Sequence, residues 1–225
     1  MRDVTRLWRE TFTETHVVTT DGRDGHLRRF FDSLPLDHAL VTVDRCAPGV
    51  DCASGEPHRN HHLIVGNRHK RLVEGARRRQ SRNVFVFEDD AEFVDRDTGA
   101  LAEALAWARA HEDRWDVFYL GFLAPLFSTC APVARHVVRP SRPFHAHALC
   151  YAAPAYDAVL GIDFGRDHRR PAYRVMERIV DQSIPELVVD NPHVDWNPFT
   201  NAVTRAAVSD SDEPAPADMK ILVPV

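Results

Sequence analysis

Asn83-Val84-Phe85-Val86-Phe87-Glu88-Asp89-Asp90 decides how this chain is read. Four consecutive apolar residues, β-branched alternating with aromatic, form the clearest strand signal in the sequence. That strand runs directly into three carboxylates. In open α/β sheets ligands gather at the carboxyl ends of the strands, where this triplet falls. Two unit charges about 4 Å apart repel by roughly 4 kcal/mol at an effective dielectric near 20. Three acids at a sheet mouth therefore call for a cation, and hard oxygen donors suit Mg²⁺ or Mn²⁺ with substrate phosphates completing the shell. The competing reading is a solvated acidic turn or a set of helix caps, because turns favour Asp. The buried strand just before the triplet tips the balance toward metal binding.

Outward from this strand, apolar runs alternate with helical patterns. His16 to Thr20 reads as a first strand, followed by the turn Asp21-Gly22 and a helix over Gly25 to Leu34 that Pro35 closes. Ala39 to Val43 reads as a second strand ending at Asp44-Arg45, and a Gly-, Pro- and Cys-containing loop runs from Ala47 to Pro57. A long helical pattern covers His61 to Arg79, and another covers Thr98 to Ala110 with Thr98 as its cap. Asp116 to Leu120 is a further strand, stopping at Gly121. Shorter strands follow at Val137-Val138 and Ala146 to Tyr151, then a helix over Pro154 to Leu160. This alternation predicts an α/β domain with a mostly parallel central sheet flanked by helices. Residues 1–208 read as one domain, and 209–225 as an acidic, Pro- and Ala-rich tail.

Composition narrows the classes. A chain of 225 residues can bury a full core without disulfide staples. Hydrophobic residues at 44% and charged residues at 27% are ordinary for a globular protein. A formal net charge of -5 argues against general nucleic-acid binding. Cys46, Cys52, Cys130 and Cys150 contain no C-x-x-C pair, so a structural zinc site is not expected. Free thiols are the preferred reading, with a Cys46–Cys52 bridge as the alternative. Met1 to Val4 begins no signal-peptide pattern and no run is long enough to span a bilayer, so a cytoplasmic protein is expected.

With these residues in view, the chain resembles the family 25 glycosyltransferases, the lipopolysaccharide- and collagen-type galactosyltransferases. Phe87-Glu88-Asp89-Asp90 is similar to that family's strand-terminal metal motif. His69 stands where the family has a histidine about twenty residues upstream. Trp115-Asp116-Val117-Phe118-Tyr119-Leu120-Gly121 matches its downstream strand, and Thr19 to Phe30 looks like its first strand-turn-helix. His145 to Tyr151 looks like its His-Ala-Tyr strand, and Val180-Asp181-Gln182-Ser183 resembles its Asp-Gln element. The likeness covers roughly residues 15 to 195, with glycine at 22 and 25 and Thr19 as departures in the first turn. It implies a nucleotide-sugar-binding GT-A fold. It also implies a metal-dependent, inverting hexosyltransferase that moves a sugar, UDP-hexose foremost, to a hydroxyl on a glycan, lipid-linked sugar or protein.

Under that reading Asp90 contacts Mn²⁺ or Mg²⁺ directly, with Glu88 and His193 as further metal candidates. Asp181 is the expected general base, with Glu177 and Asp163 in reserve. Thr19, Asp21, Arg23, Asp44, His69, Glu88, Asp89 and His147 are the donor-binding candidates. Each has a plainer alternative: Asp181 as a helix cap, the histidines as hydrogen-bonded structural residues, the acids at 21 and 44 as turn residues. Arg68 to Arg82 carries seven Lys or Arg in fifteen residues. It fits either a solvated helix face or a peripheral contact with an anionic membrane or acceptor. Trp115, Trp196 and Phe199 could stack on a sugar, though core packing is the expectation. Two other functions share these features: a metal-dependent nucleotidyl- or phosphotransferase, and a non-catalytic nucleotide-sugar-binding relative. No Gly-rich phosphate loop of the P-loop kind supports the former.

Overall fold

Glu14–Thr20 (β1) lies between two parallel neighbours, Thr42–Cys46 (β2) and Asn83–Glu88 (β3), and these three strands present their carboxyl ends side by side. The computed structural model describes residues 4–52, 55, 61–93, 98–120, 130–140, 147–161 and 221–224. The remaining strands are Val117–Tyr119 (β4), Cys130–Ala134 (β5), Val137–Pro140 (β6), Ala148–Ala152 (β7) and Ile221–Pro224 (β8). Together they form one sheet in the order β2-β1-β3-β7-β4-β8-β6-β5. Only β6 and β7 run against the others, so the sheet is mostly parallel.

Helices cover both faces, as a largely parallel sheet requires. Val4–Thr11 (α1), Asp24–Ser33 (α2) and Thr98–Ala110 (α4) pack against Val17, Phe85, Phe87, Phe118 and Cys150. His61–Arg78 (α3) and Tyr156–Leu160 (α5) pack against Val18, Val84, Val86, Tyr119, Leu149 and Tyr151. Alternate residues of each strand thus feed opposite cores, and every residue of β3 from Asn83 to Phe87 is buried. Trp8 stacks on Phe87, centroids 5.6 Å apart, and its indole donates to Thr15 Oγ1 at 2.8 Å. Asn83 ties the α1–β1 link to the sheet, donating to the Thr11 carbonyl at 2.9 Å and accepting from Thr13 N at 2.8 Å.

Some expectations need correction. The second strand begins at Thr42, not Ala39, because Asp37 caps a short 3-10 turn over His38–Leu40 by accepting from the Ala39 N–H at 3.0 Å. Asp44 and Arg45 therefore lie within β2 and do not follow it. Cys46 and Cys52 are paired as a disulfide, with Cα atoms 6.2 Å apart, where free thiols were preferred. Residues 221–224, the apolar end of the tail segment, form β8 between β4 and β6, and the boundary at 208 lies outside the described residues. Helix α1 carries no expectation from the sequence. Trp115 is a core residue, 1% exposed, whose indole donates to the Ala108 carbonyl at 2.9 Å.

Candidate functional site

The turn after β1 is set by Gly22. Its φ of 84° suits glycine, and Arg23 N–H closes the turn on the Thr20 carbonyl at 3.2 Å. Glycine at this position thus has a backbone reason. The turn delivers Arg23 to the start of α2, facing the end of β3. A second turn follows β3, closed by the Ala91 N–H on the Glu88 carbonyl at 3.1 Å.

These two turns divide the three acids by role. Asp89 is buried, and both its oxygens are engaged. Arg23 Nε donates to Oδ1 at 3.0 Å and to Oδ2 at 2.8 Å, Arg23 Nη2 donates to Oδ1 at 2.7 Å, and Thr19 Oγ1 donates to Oδ2. Asp89 is therefore a strut joining the ends of β1 and β3, and it has little capacity left for a ligand. Thr19, 2% exposed, is its buried partner and does not face a donor molecule.

Glu88 and Asp90 are less well compensated. Loss of solvent, then the charges of Asp90 and Asp89, pushes the Glu88 carboxyl up to about 8, with Arg68 and Arg23 only partly offsetting this. The Glu88 side chain is nevertheless 21% exposed, so its enclosed carboxyl still opens to solvent on one side. Asp90 is exposed at its surface, yet loss of solvent around the carboxyl and then the Asp89 charge raise it above the ordinary range. Among the described residues neither receives a hydrogen bond from an arginine. Two crowded carboxylates with raised affinities for a proton suit a divalent cation, which would take the proton's place.

Among the described residues no three His, Cys, Asp or Glu side chains form a ready-made metal cage. His193, the third metal candidate, and the acids Asp181, Glu177 and Asp163 lie outside the described residues.

Asp44 sits on the same rung as Val18 and Glu88 across three parallel strands. It is held from α3, by Arg71 directly and by Arg68 Nη2 at 3.8 Å. Arg68, 3% exposed, also donates through Nη2 to the Thr19 carbonyl and to the Asp44 carbonyl at 2.9 Å. Asp21 is exposed and 3.9 Å from Arg45, which pairs with Asp24 at 2.8 Å. His147 is buried at the head of β7, where its carbonyl accepts the Glu88 N–H at 2.8 Å. His69 is wholly buried beneath Glu88, so it does not present its ring to a donor.

No protein-family model and no curated protein matches the chain. Among solved structures, mannose-1-phosphate geranyltransferase from Thermus thermophilus is similar at 15% identity and a TM-score of 0.40. The match covers 94% of this chain and 73% of that one. A likeness of that degree carries no argument about chemistry, which rests on the residues themselves.

The nine candidates within the described residues thus converge on one end of the sheet, but they divide into layers. Asp21, Arg23, Asp44, Glu88 and Asp90 reach solvent, whereas Thr19, His69, Asp89 and His147 lie beneath them. Arg68, Arg71 and Tyr151 are part of this arrangement; the sequence marked them only within a basic run and a strand, not as site residues. An arginine–histidine pair at the centre of a helix, next to an acid-tipped strand, was the available signal. The basic run is largely paired: Arg77 with Asp157, Arg78 with Glu74, Arg79 with Glu14 and Arg82 with Glu112. That pattern fits a solvated helix face and leaves little free charge for a membrane. No helix among the described residues is long and apolar enough to cross one.

Proposed function

We propose that this chain is a metal-dependent transferase of a nucleotide-diphosphate sugar, moving a hexose to a hydroxyl acceptor. The observation that carries the reading is the division of the acidic triplet. Asp89 is neutralised by Arg23, while Glu88 and Asp90 are left crowded, less well compensated and open to solvent. A protein gains nothing in stability from such a pair, and a cation with bound phosphates gives it a use.

Glu88 and Asp90 would hold Mn²⁺ or Mg²⁺, and the bound ion would neutralise the departing diphosphate. Arg23, 38% exposed beyond its grip on Asp89, offers its outer face to the same anion. Asp21 and Arg45 at the ends of β1 and β2 lie where a nucleoside would rest in an open α/β sheet. Asp181 is the proposed base that takes the proton of the acceptor hydroxyl, with His193 as a further metal ligand. For in-line attack across one sugar ring, the Asp181 carboxylate must come within roughly 10 Å of the metal position.

A thermal-shift series with UDP, other nucleoside diphosphates and UDP-sugars, each with and without Mn²⁺, tests the reading. A ligand at 100 times its Kd stabilises the folded chain by about 2.7 kcal/mol. For a chain of this length that is a rise of roughly 5 to 11 °C. A rise that needs both nucleotide and Mn²⁺ is the expected result. No response to any pair rejects the transferase. A response to UDP-sugar without turnover over any hydroxyl acceptor would instead favour a binding protein.

A further inference from the structure

Beneath Glu88, at the end of β3, lie two buried polar side chains that the proposed chemistry does not use: Tyr151 from β7 and His69 from α3. Tyr151 and His69 are both 0% exposed. The Tyr151 hydroxyl is 3.0 Å from His69 Nδ1, and the rings meet edge to face with centroids 5.9 Å apart. The other ring nitrogen, Nε2, is buried, has no hydrogen-bond partner and lies 3.9 Å from Glu88 Oε1.

A neutral imidazole has one N–H and one acceptor nitrogen, so Tyr151 and Glu88 together determine which is which. If Nδ1 carried the proton, the Nε2 lone pair would face the carboxylate oxygens and the Tyr151 proton would need another acceptor. If the Tyr151 hydroxyl donates to Nδ1, Nε2 carries the proton and points it at Glu88. The second arrangement satisfies Tyr151 and Nδ1 and leaves the Nε2–H directed at Glu88, 3.9 Å away. The ring is 0% exposed, and full burial disfavours a charged imidazole.

We propose that His69 is a positioning residue for Glu88: Tyr151 fixes its tautomer, and its Nε2–H orients the Glu88 carboxylate toward the ligand side. A separation of 3.9 Å is longer than a hydrogen bond, so the proposal requires the Glu88 side chain to turn toward Nε2. Ligating carboxylates are themselves commonly held by a second hydrogen-bonding group, and losing such a partner typically weakens metal binding about 10- to 100-fold. The role of Glu88 as a metal ligand is taken from the proposed function, whereas the tautomer of His69 is independent of it.

Two measurements on the full chain test this. In the first, ¹⁵N NMR of the histidine side chains, without metal and at about pH 9 where Glu88 is ionised, should show His69 as the Nε2–H tautomer. Tyr151→Phe should release that preference, and Glu88→Gln should move the Nε2 signal. An Nδ1–H tautomer in the parent overturns the proposal. The second is Mn²⁺ calorimetry with and without UDP. His69→Gln, whose amide reaches the Nε2 position, should keep affinity near that of the parent. His69→Asn, whose amide stands at the Nδ1 position, should lose roughly 10- to 100-fold. Equal affinities in the two variants also overturn it. A parent that binds no Mn²⁺ counts against the transferase reading alone, and the tautomer then decides the role of His69.

Discussion

Arg23 holds Asp89 through two nitrogens, with contacts of 2.7 to 3.0 Å, and so engages both oxygens of the middle acid of the triplet. The acids on either side should therefore respond oppositely to the same kind of substitution.

Asp89→Asn should destabilise the protein. Removing one partner of a buried ion pair costs about 3–5 kcal/mol, and the 38% exposure of Arg23 reduces that to about 1–3 kcal/mol. Asp90→Asn should leave stability unchanged or slightly higher, because it removes like-charge repulsion. Urea titrations of both variants check the contrast. Equal losses would show that the triplet is one undivided acidic turn.

Asp90→Ala should abolish Mn²⁺-dependent nucleotide binding while the circular dichroism spectrum stays that of the parent. Calorimetry with UDP, with and without Mn²⁺, reads this directly. Undiminished binding would take the metal away from Asp90.

Glu88 makes the metal-free protein pH-dependent in a definite direction. Its carboxyl is raised from 4.5 to about 8, so between these values the folded state binds more protons than the unfolded state. Stability from this group is then full below pH 4.5 and is lost as pH rises toward 8. The melting point should fall over that window, less so in Glu88→Gln, and Mn²⁺ at pH 8 should restore part of it. Glu14 behaves in reverse. Burial opposes its ionisation, but hydrogen bonds from Arg79 and Ser81 and the contact with His16 bring it down to about 2. Its contribution is present above pH 4.5 and is lost only as pH falls toward 2.

Asp181→Asn should keep Mn²⁺-dependent UDP binding and lower turnover by roughly 10²- to 10⁴-fold, the usual contribution of a general base. Steady-state kinetics with a UDP-sugar checks it. Unchanged turnover passes the role to Glu177 or Asp163.

The Cys46–Cys52 bridge closes a loop six residues long in sequence separation, which in the chain-entropy account stabilises by about 2 kcal/mol. A dithiol reductant or Cys46→Ser should lower the melting point by roughly 4 to 8 °C. Mass spectrometry of the unreduced protein should find two fewer hydrogens than four free thiols require.

Where one local force dominated, the sequence was legible. The four apolar residues before Glu88 can be satisfied only by burial, and they form the fully buried centre of β3. The alternation of apolar runs and helical patterns likewise predicted the mostly parallel sheet. It failed where two local signals competed. Ala39 to Val43 is apolar enough for a strand, but the Asp37 cap wins the first residues for a turn and shifts β2 toward Cys46. The candidate site was legible as a neighbourhood and not as a set of roles. Asp89 and Asp90 are adjacent and chemically alike, and only the arrival of Arg23 from another turn distinguishes them. Nothing near His69 in the sequence points to Tyr151, 82 positions away.

Arg68 grips the main-chain carbonyls of Thr19 and Asp44, and its contacts there do not depend on which side chains those positions carry. The brace between β1 and β2 would survive a change of residue at either strand tip. Exposed side chains beside the brace, Asp21 and Arg45 among them, can then change while the frame that carries them is inherited intact. The sheet end is in this sense a fixed mount with exchangeable fittings.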